Sequence, residues 1–129
     1  MLGVLIIAAF LGQPQDDPSV WQDYGRDAQG AAVLLNPDTV ITGDSGPEAM
    51  LRVRHAKPLA NGSTQQDIKA VFDCSTRNVR RALMGERFAN GEIAARSDNG
   101  EPMPAIGAAA GTPLGKVLDT VCELAASAG

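Results

Sequence analysis

Aromatic side chains make up only 4% of the 129 residues, and the chain has one histidine and two cysteines. Each scarcity excludes something. With three Phe, one Tyr and one Trp, the core has to be aliphatic, and a single domain of this length builds a modest one. Phe72, Phe88 and Trp21 are its few large pieces. The lone histidine, His55, cannot hold a metal by itself, and no Cys, Asp or Glu stands around it at ligand spacing. It reads as a strand-end side chain. No C-x-x-C, P-loop or dinucleotide fingerprint is present. Basic residues are in deficit, 11 against 15 acidic, for a net charge of −4 and a pI near 4.8, which argues against a nucleic-acid binder. No apolar run reaches the about 20 residues that a membrane-spanning helix requires.

Two short stretches imitate catalytic motifs. Gly43-Asp44-Ser45-Gly46 copies the text around a serine-protease nucleophile. That chemistry needs a histidine base ahead of the serine in the chain, whereas His55 follows it, and 129 residues cannot form two barrels. Ser97-Asp98-Asn99 matches a β-lactamase triplet without its S-x-x-K or K-T-G companions. Both read as turns.

The longest apolar run, Leu2 to Leu11, has the length of a signal-peptide core and gives way to Gln13-Pro14-Gln15-Asp16-Asp17-Pro18, a polar, Pro-rich stretch. Residues 1–15 are expected to be an export leader and 16–129 a single domain. From Ser19 the signals are short, alternating and spaced as hairpins. Val20 to Tyr24 reads as a first strand with a turn over Asp27 to Gly30. Ala32 to Leu35 is a second, ended by Asn36-Pro37-Asp38, since a proline presets a turn and pushes its predecessor to extended geometry. Thr39 to Ile41 continues briefly into a loop over Thr42 to Pro47. Glu48 to Ala56 alternates Leu51 and Val53 with Arg52 and Arg54. Gln66 to Cys74 and Val79 to Phe88 are the next two strands. Asn90-Gly91 is a type I′ hairpin signal leading to a last strand, Glu92 to Arg96. Ser97 to Gly111, rich in Pro, Ala and Gly, carries the chain to a helix.

That helix is signalled clearly. Thr112 is a natural N-cap and Pro113 suits the first helical position. Leu114, Val117, Leu118, Val121, Cys122 and Ala125 fall on one apolar face. On the strand ending at Cys74, a period of two puts Ile68, Ala70, Phe72 and Cys74 on one face. A helix docked there brings Cys74 and Cys122 together; free thiols remain the alternative if the protein stays in a reducing compartment. The fold class is α+β, an antiparallel sheet of about five to six strands with the terminal helix on one face.

Charge is unevenly spread. Residues 50–87 hold Arg52, Arg54, Lys57, Lys69, Arg77, Arg80, Arg81 and Arg87 against Asp67, Asp73 and Glu86, between anionic ends. Arg52, Arg54, Arg77, Arg80 and Arg81 are candidates for an anion- or partner-binding face, with Arg80 and Arg81 on opposite sides of their strand.

Trp21, the strand ending Asn36-Pro37-Asp38-Thr39-Val40, Arg52-Val53-Arg54, the strand ending Phe72-Asp73-Cys74, the Arg-rich return strand and the Pro-rich approach to a helix ending Val121-Cys122 form a pattern. It resembles the surface-adhesin protein E family over most of the chain. Departures fall at Leu34, Asn36 and Met103-Pro104, where members usually carry an aromatic, an acid and a tryptophan. The resemblance implies a sheet tethered to its C-terminal helix by a Cys74–Cys122 disulfide. It also implies a non-enzymatic bacterial envelope protein, periplasmic or at the cell surface, without a cofactor. Expected partners are an envelope or extracellular protein or an acidic polysaccharide. The alternative is a periplasmic enzyme inhibitor or small enzyme with a site made of loop residues.

Overall fold

The computed structural model describes residues 20–97 and 105–128. The expected leader, Asp98-Asn99 and Met103-Pro104 lie outside them. Seven strands run in chain order: β1 (Gln22–Arg26), β2 (Ala32–Gly43), β3 (Gly46–Arg54), β4 (Ser63–Asp73), β5 (Asn78–Phe88), β6 (Ile93–Ser97) and β7 (Ile106–Gly107), followed by helix α1 (Pro113–Ala128). Strands β1 to β6 form an antiparallel meander, and the two-residue β7 pairs with β5 beyond the end of β6. The α+β architecture read from the sequence is the one observed.

Alternation along the long strands decides the faces. Val33, Leu35, Leu51, Ile68, Ala70, Phe72, Val79 and Met84 are buried on the inner face, where α1 lays down Val117, Leu118 and Val121. Burying a Leu or Phe side chain contributes about 1.5–3 kcal/mol, and this aliphatic layer is what holds the helix to the sheet. The helix starts where its cap says. The Gly115 N–H donates to Thr112 Oγ1 at 3.0 Å, and that hydroxyl donates to the Ala109 carbonyl at 2.7 Å. Trp21 departs from expectation: it is buried, but on the opposite face, with Ala32 and Leu34.

Three local readings are corrected. Pro37 does not end β2, which runs on to Gly43 through an irregularity between Asn36 and Ile41. The ladder survives because a side chain stands in for backbone: Asn36 Oδ1 accepts the Asp38 N–H, and Thr39 Oγ1 donates to the Asn36 carbonyl while accepting the Met50 N–H at 2.8 Å. The loop expected over Thr42 to Pro47 is a tight hairpin with only Asp44-Ser45 at its tip. Gly46 is needed there, since its φ is +130° and a Cβ would lie 2.7 Å from the Phe72 carbonyl oxygen. The Asn90-Gly91 hairpin is not type I′, because only Gly91 has positive φ. The Gly91 N–H closes on the Phe88 carbonyl and the Phe88 N–H on the Glu92 carbonyl, a three-residue turn with the glycine in the left-handed position.

Candidate functional site: the outer face of the sheet

The helix covers the inner face; on the outer face Ala32, Leu34, Arg52 and Val71 are buried, while Arg54 and Arg87 are exposed. Register places Leu34, Arg52, Asp67 and Gly85 in one cross-strand row, with Arg54, Gln65, Arg87 and Ile93 in the next. At the centre Arg52 is only 5% exposed. Its Nε donates to Asp67 Oδ1 at 2.7 Å and its Nη2 to Oδ2 at 3.0 Å, a bidentate fork. The guanidinium carbon lies 4.3 Å from the centre of the Trp21 ring. Trp21 therefore caps an ion pair while packing on Ala32 and Leu34, and the chain entering β1 is fastened across the outer face.

Around this centre the face is cationic. Arg52, Arg54, Lys69, Arg80 and Arg87 stand on outer positions of β3 to β5, against Glu48 and Asp67. Lys69 pairs with Glu48 at 3.5 Å. Arg54 and Arg87 are exposed and make no ion pair among the described residues. Two exposed apolar side chains stand on the same face, Ile93 opposite Arg87 and Leu83 opposite Lys69.

The five arginines singled out from the sequence are not brought together. Arg52, Arg54 and Arg80 share the outer face, with Arg52 committed to Asp67. Arg81 points to the inner side, opposite Ala70, as the alternation required; its Nε is buried without a hydrogen-bond partner among the described residues. Arg77 lies in the β4–β5 turn and turns to the helix: Nη1 donates to Asp119 at 2.7 Å and Nε to the Ala108 carbonyl at 3.2 Å. Arg87 and Asp67 were not among the candidates. Their signal was legible as outer-face positions of the flanking strands, but which strand lies opposite which is settled only by pairing.

Cys74 and Cys122 form a disulfide with Cα atoms 6.0 Å apart. Cys74 is the first residue of the turn after β4. The same turn is held by Asp73, whose carboxylate accepts the backbone N–H groups of Thr76 and Ser75 and the Ser75 hydroxyl. The Thr76 N–H, then the Ser75 hydroxyl, hold its pKa below the usual aspartate value. At the other end of the inner face, Ser63 Oγ and His55 Nε2 are buried without partners among the described residues. No three His, Cys, Asp or Glu side chains among the described residues gather as a metal would need, and no described helix is long and apolar enough to cross a membrane. Comparison with protein-family models, curated proteins and solved structures finds no match.

Proposed function

We propose that the protein is an exported, non-enzymatic binding module of the surface-adhesin protein E kind, and that it holds an acidic polysaccharide against the outer face of its sheet. The observation that carries this reading is the row of Arg54, Gln65 and Arg87, where two exposed guanidinium groups with no ion pair among the described residues flank a neutral hydrogen-bonding side chain. Arginine forks suit carboxylate and sulfate groups. A local cationic face steers such a polymer even when net charge is negative. Export is supported by the disulfide, since such bonds persist in oxidising compartments.

Retention on a heparin column at low salt tests it. The unaltered protein should be retained, and Arg54→Ala with Arg87→Ala should elute at lower salt with its melting temperature unchanged. Failure of the unaltered protein to bind, or equal retention of the double variant, overturns the reading. Arg52→Ala is the wrong probe, because Arg52 is part of the fold.

A further inference from the structure

A cleft of 570 Å³ opens at the start of α1, within the roughly 300–1,000 Å³ range of small-molecule sites. Its apolar lining comes from three parts of the chain. Val33 and Val53 pair on the inner face of β2 and β3, Ile106 comes from β7, and Pro113 and Leu114 belong to the first turn of the helix. Strand β1 comes up to the helix start here, since a Cβ on Gly25 would lie 3.7 Å from Pro113 Cγ. Ile106 is 40% exposed, so apolar surface at this cleft stays in water.

The polar groups around that lining are unequal. Arg26 borders the cleft, but its pairing with Ala32 sets it in the outer-face row of Arg54 and Arg87, and its Nη1 donates to the Gly30 carbonyl. At the helix start, the Thr112 hydroxyl and carbonyl accept the N–H groups of Gly115 and Lys116, and Pro113 has no N–H, so little is left there to attract an anion. The charge left to the cleft is that of Asp27. This side chain is half-buried in the β1–β2 turn, and its Oδ1 accepts the N–H groups of Gln29 and Ala31, both at 2.9 Å. Its Oδ2 makes no hydrogen bond or ion pair among the described residues. Two backbone donors orient the carboxylate without neutralising it. An aliphatic lining with one fixed, unpaired carboxylate selects an apolar body that carries a single positive group.

We propose that this cleft binds a small amphipathic primary amine, with its aliphatic body on Val33, Val53 and Leu114 and its ammonium group donating to Asp27 Oδ2.

The test is calorimetric titration of the full chain with octylammonium, butylammonium, octanol and octanoate at about pH 7, where an alkylamine is charged. Octylammonium should bind saturably. Octanol should bind about tenfold more weakly, the worth of one charge-assisted hydrogen bond, and octanoate more weakly still. Butylammonium should also lose at least about tenfold, because it buries less apolar surface. Asp27→Asn keeps the side-chain oxygen that the Gln29 and Ala31 N–H groups use, so circular dichroism should not change, while octylammonium falls to the affinity of octanol. Asp44→Asn removes the same charge from an exposed position at the β2–β3 tip, outside the cleft, and should leave the affinity as it was. Any of four results overturns the proposal: no saturable binding of octylammonium, equal affinity for octanol or octanoate, equal affinity for butylammonium, or equal losses in Asp27→Asn and Asp44→Asn.

Discussion

Arg77 Nη1 donates to Asp119 at 2.7 Å, three residues ahead of Cys122 on the same helix. The turn between β4 and β5 thus grips α1 twice within one helical turn, once by an ion pair and once by the Cys74–Cys122 bond. Arg77 also donates to the Ala108 carbonyl and accepts the Ala108 N–H on its own carbonyl, so the approach to the helix is held by the same residue.

Removing the covalent grip should loosen the helix first. The bridge spans a sequence separation of 48, worth about 4 kcal/mol of unfolded-state entropy in the chain-entropy model. Cys122→Ser should lower the melting temperature by about 10 °C or more, with the β signal largely retained. An unchanged melting temperature would mean the bridge is idle.

The ionic grip is weaker and comes with backbone strain. Asp119 is largely exposed, so the pair contributes under about 1 kcal/mol. Arg77 holds φ +59°, a conformation that costs a side-chain-bearing residue about 1–2 kcal/mol. Arg77→Ala keeps the strain and loses the contacts, whereas Arg77→Gly loses both. Chemical denaturation should show the alanine variant less stable than the glycine variant by about 1 kcal/mol; the reverse order would show that glycine's extra backbone entropy outweighs the strain at this φ.

Arg52→Ala should cost about 2–3 kcal/mol, below the about 3–5 kcal/mol of a fully buried pair because the Asp67 side chain keeps 32% of its exposure. Arg52→Lys should recover only part, since a lysine cannot make the fork. Trp21 is the sole tryptophan, so its fluorescence reads the site directly: emission should move to longer wavelength in Arg52→Ala. Unmoved emission would show that Trp21 is held by its apolar neighbours alone.

Thr39→Val should destabilise by about 1–2 kcal/mol, because the Met50 N–H loses its acceptor in the interrupted ladder. Thr39→Ser should be close to neutral. Hydrogen exchange at the Met50 amide is the check: faster in the valine variant, slow in the serine variant.

Acid should weaken the β4–β5 turn through Asp73. Its folded pKa is lowered, so its contribution is complete above the ordinary carboxylate range and is lost as pH falls through the lowered value. The loss of stability between about pH 6 and pH 2.5, bracketing the usual aspartate pKa of about 3.9, should be smaller in Asp73→Asn than in the unaltered chain. Identical losses in urea titrations would remove Asp73 from the acid response.

Periodicity alone determined that there would be antiparallel hairpins, a capped terminal helix with Val117, Leu118 and Val121 inward, and two cysteines facing each other across that packing. These are local rules, since alternation, a Thr-Pro start and turn residues act over a few positions. Pro37 and Asn90 show where such rules stop. Proline does not end a strand if the ladder beside it is carried through the irregularity, as here, where the Thr39 hydroxyl bridges the Met50 N–H and the Asn36 carbonyl; Asn-Gly makes type I′ only if the strands meet at that length. Tertiary structure alone decided the fate of the arginines. Arg52, Arg77 and Arg81 look alike in the chain, but pairing set one against Asp67 under Trp21, a turn aimed the second at Asp119, and a half-turn of strand pushed the third inside. Charge is a property of residues, whereas an available charge depends on what the fold places within about 4 Å of it.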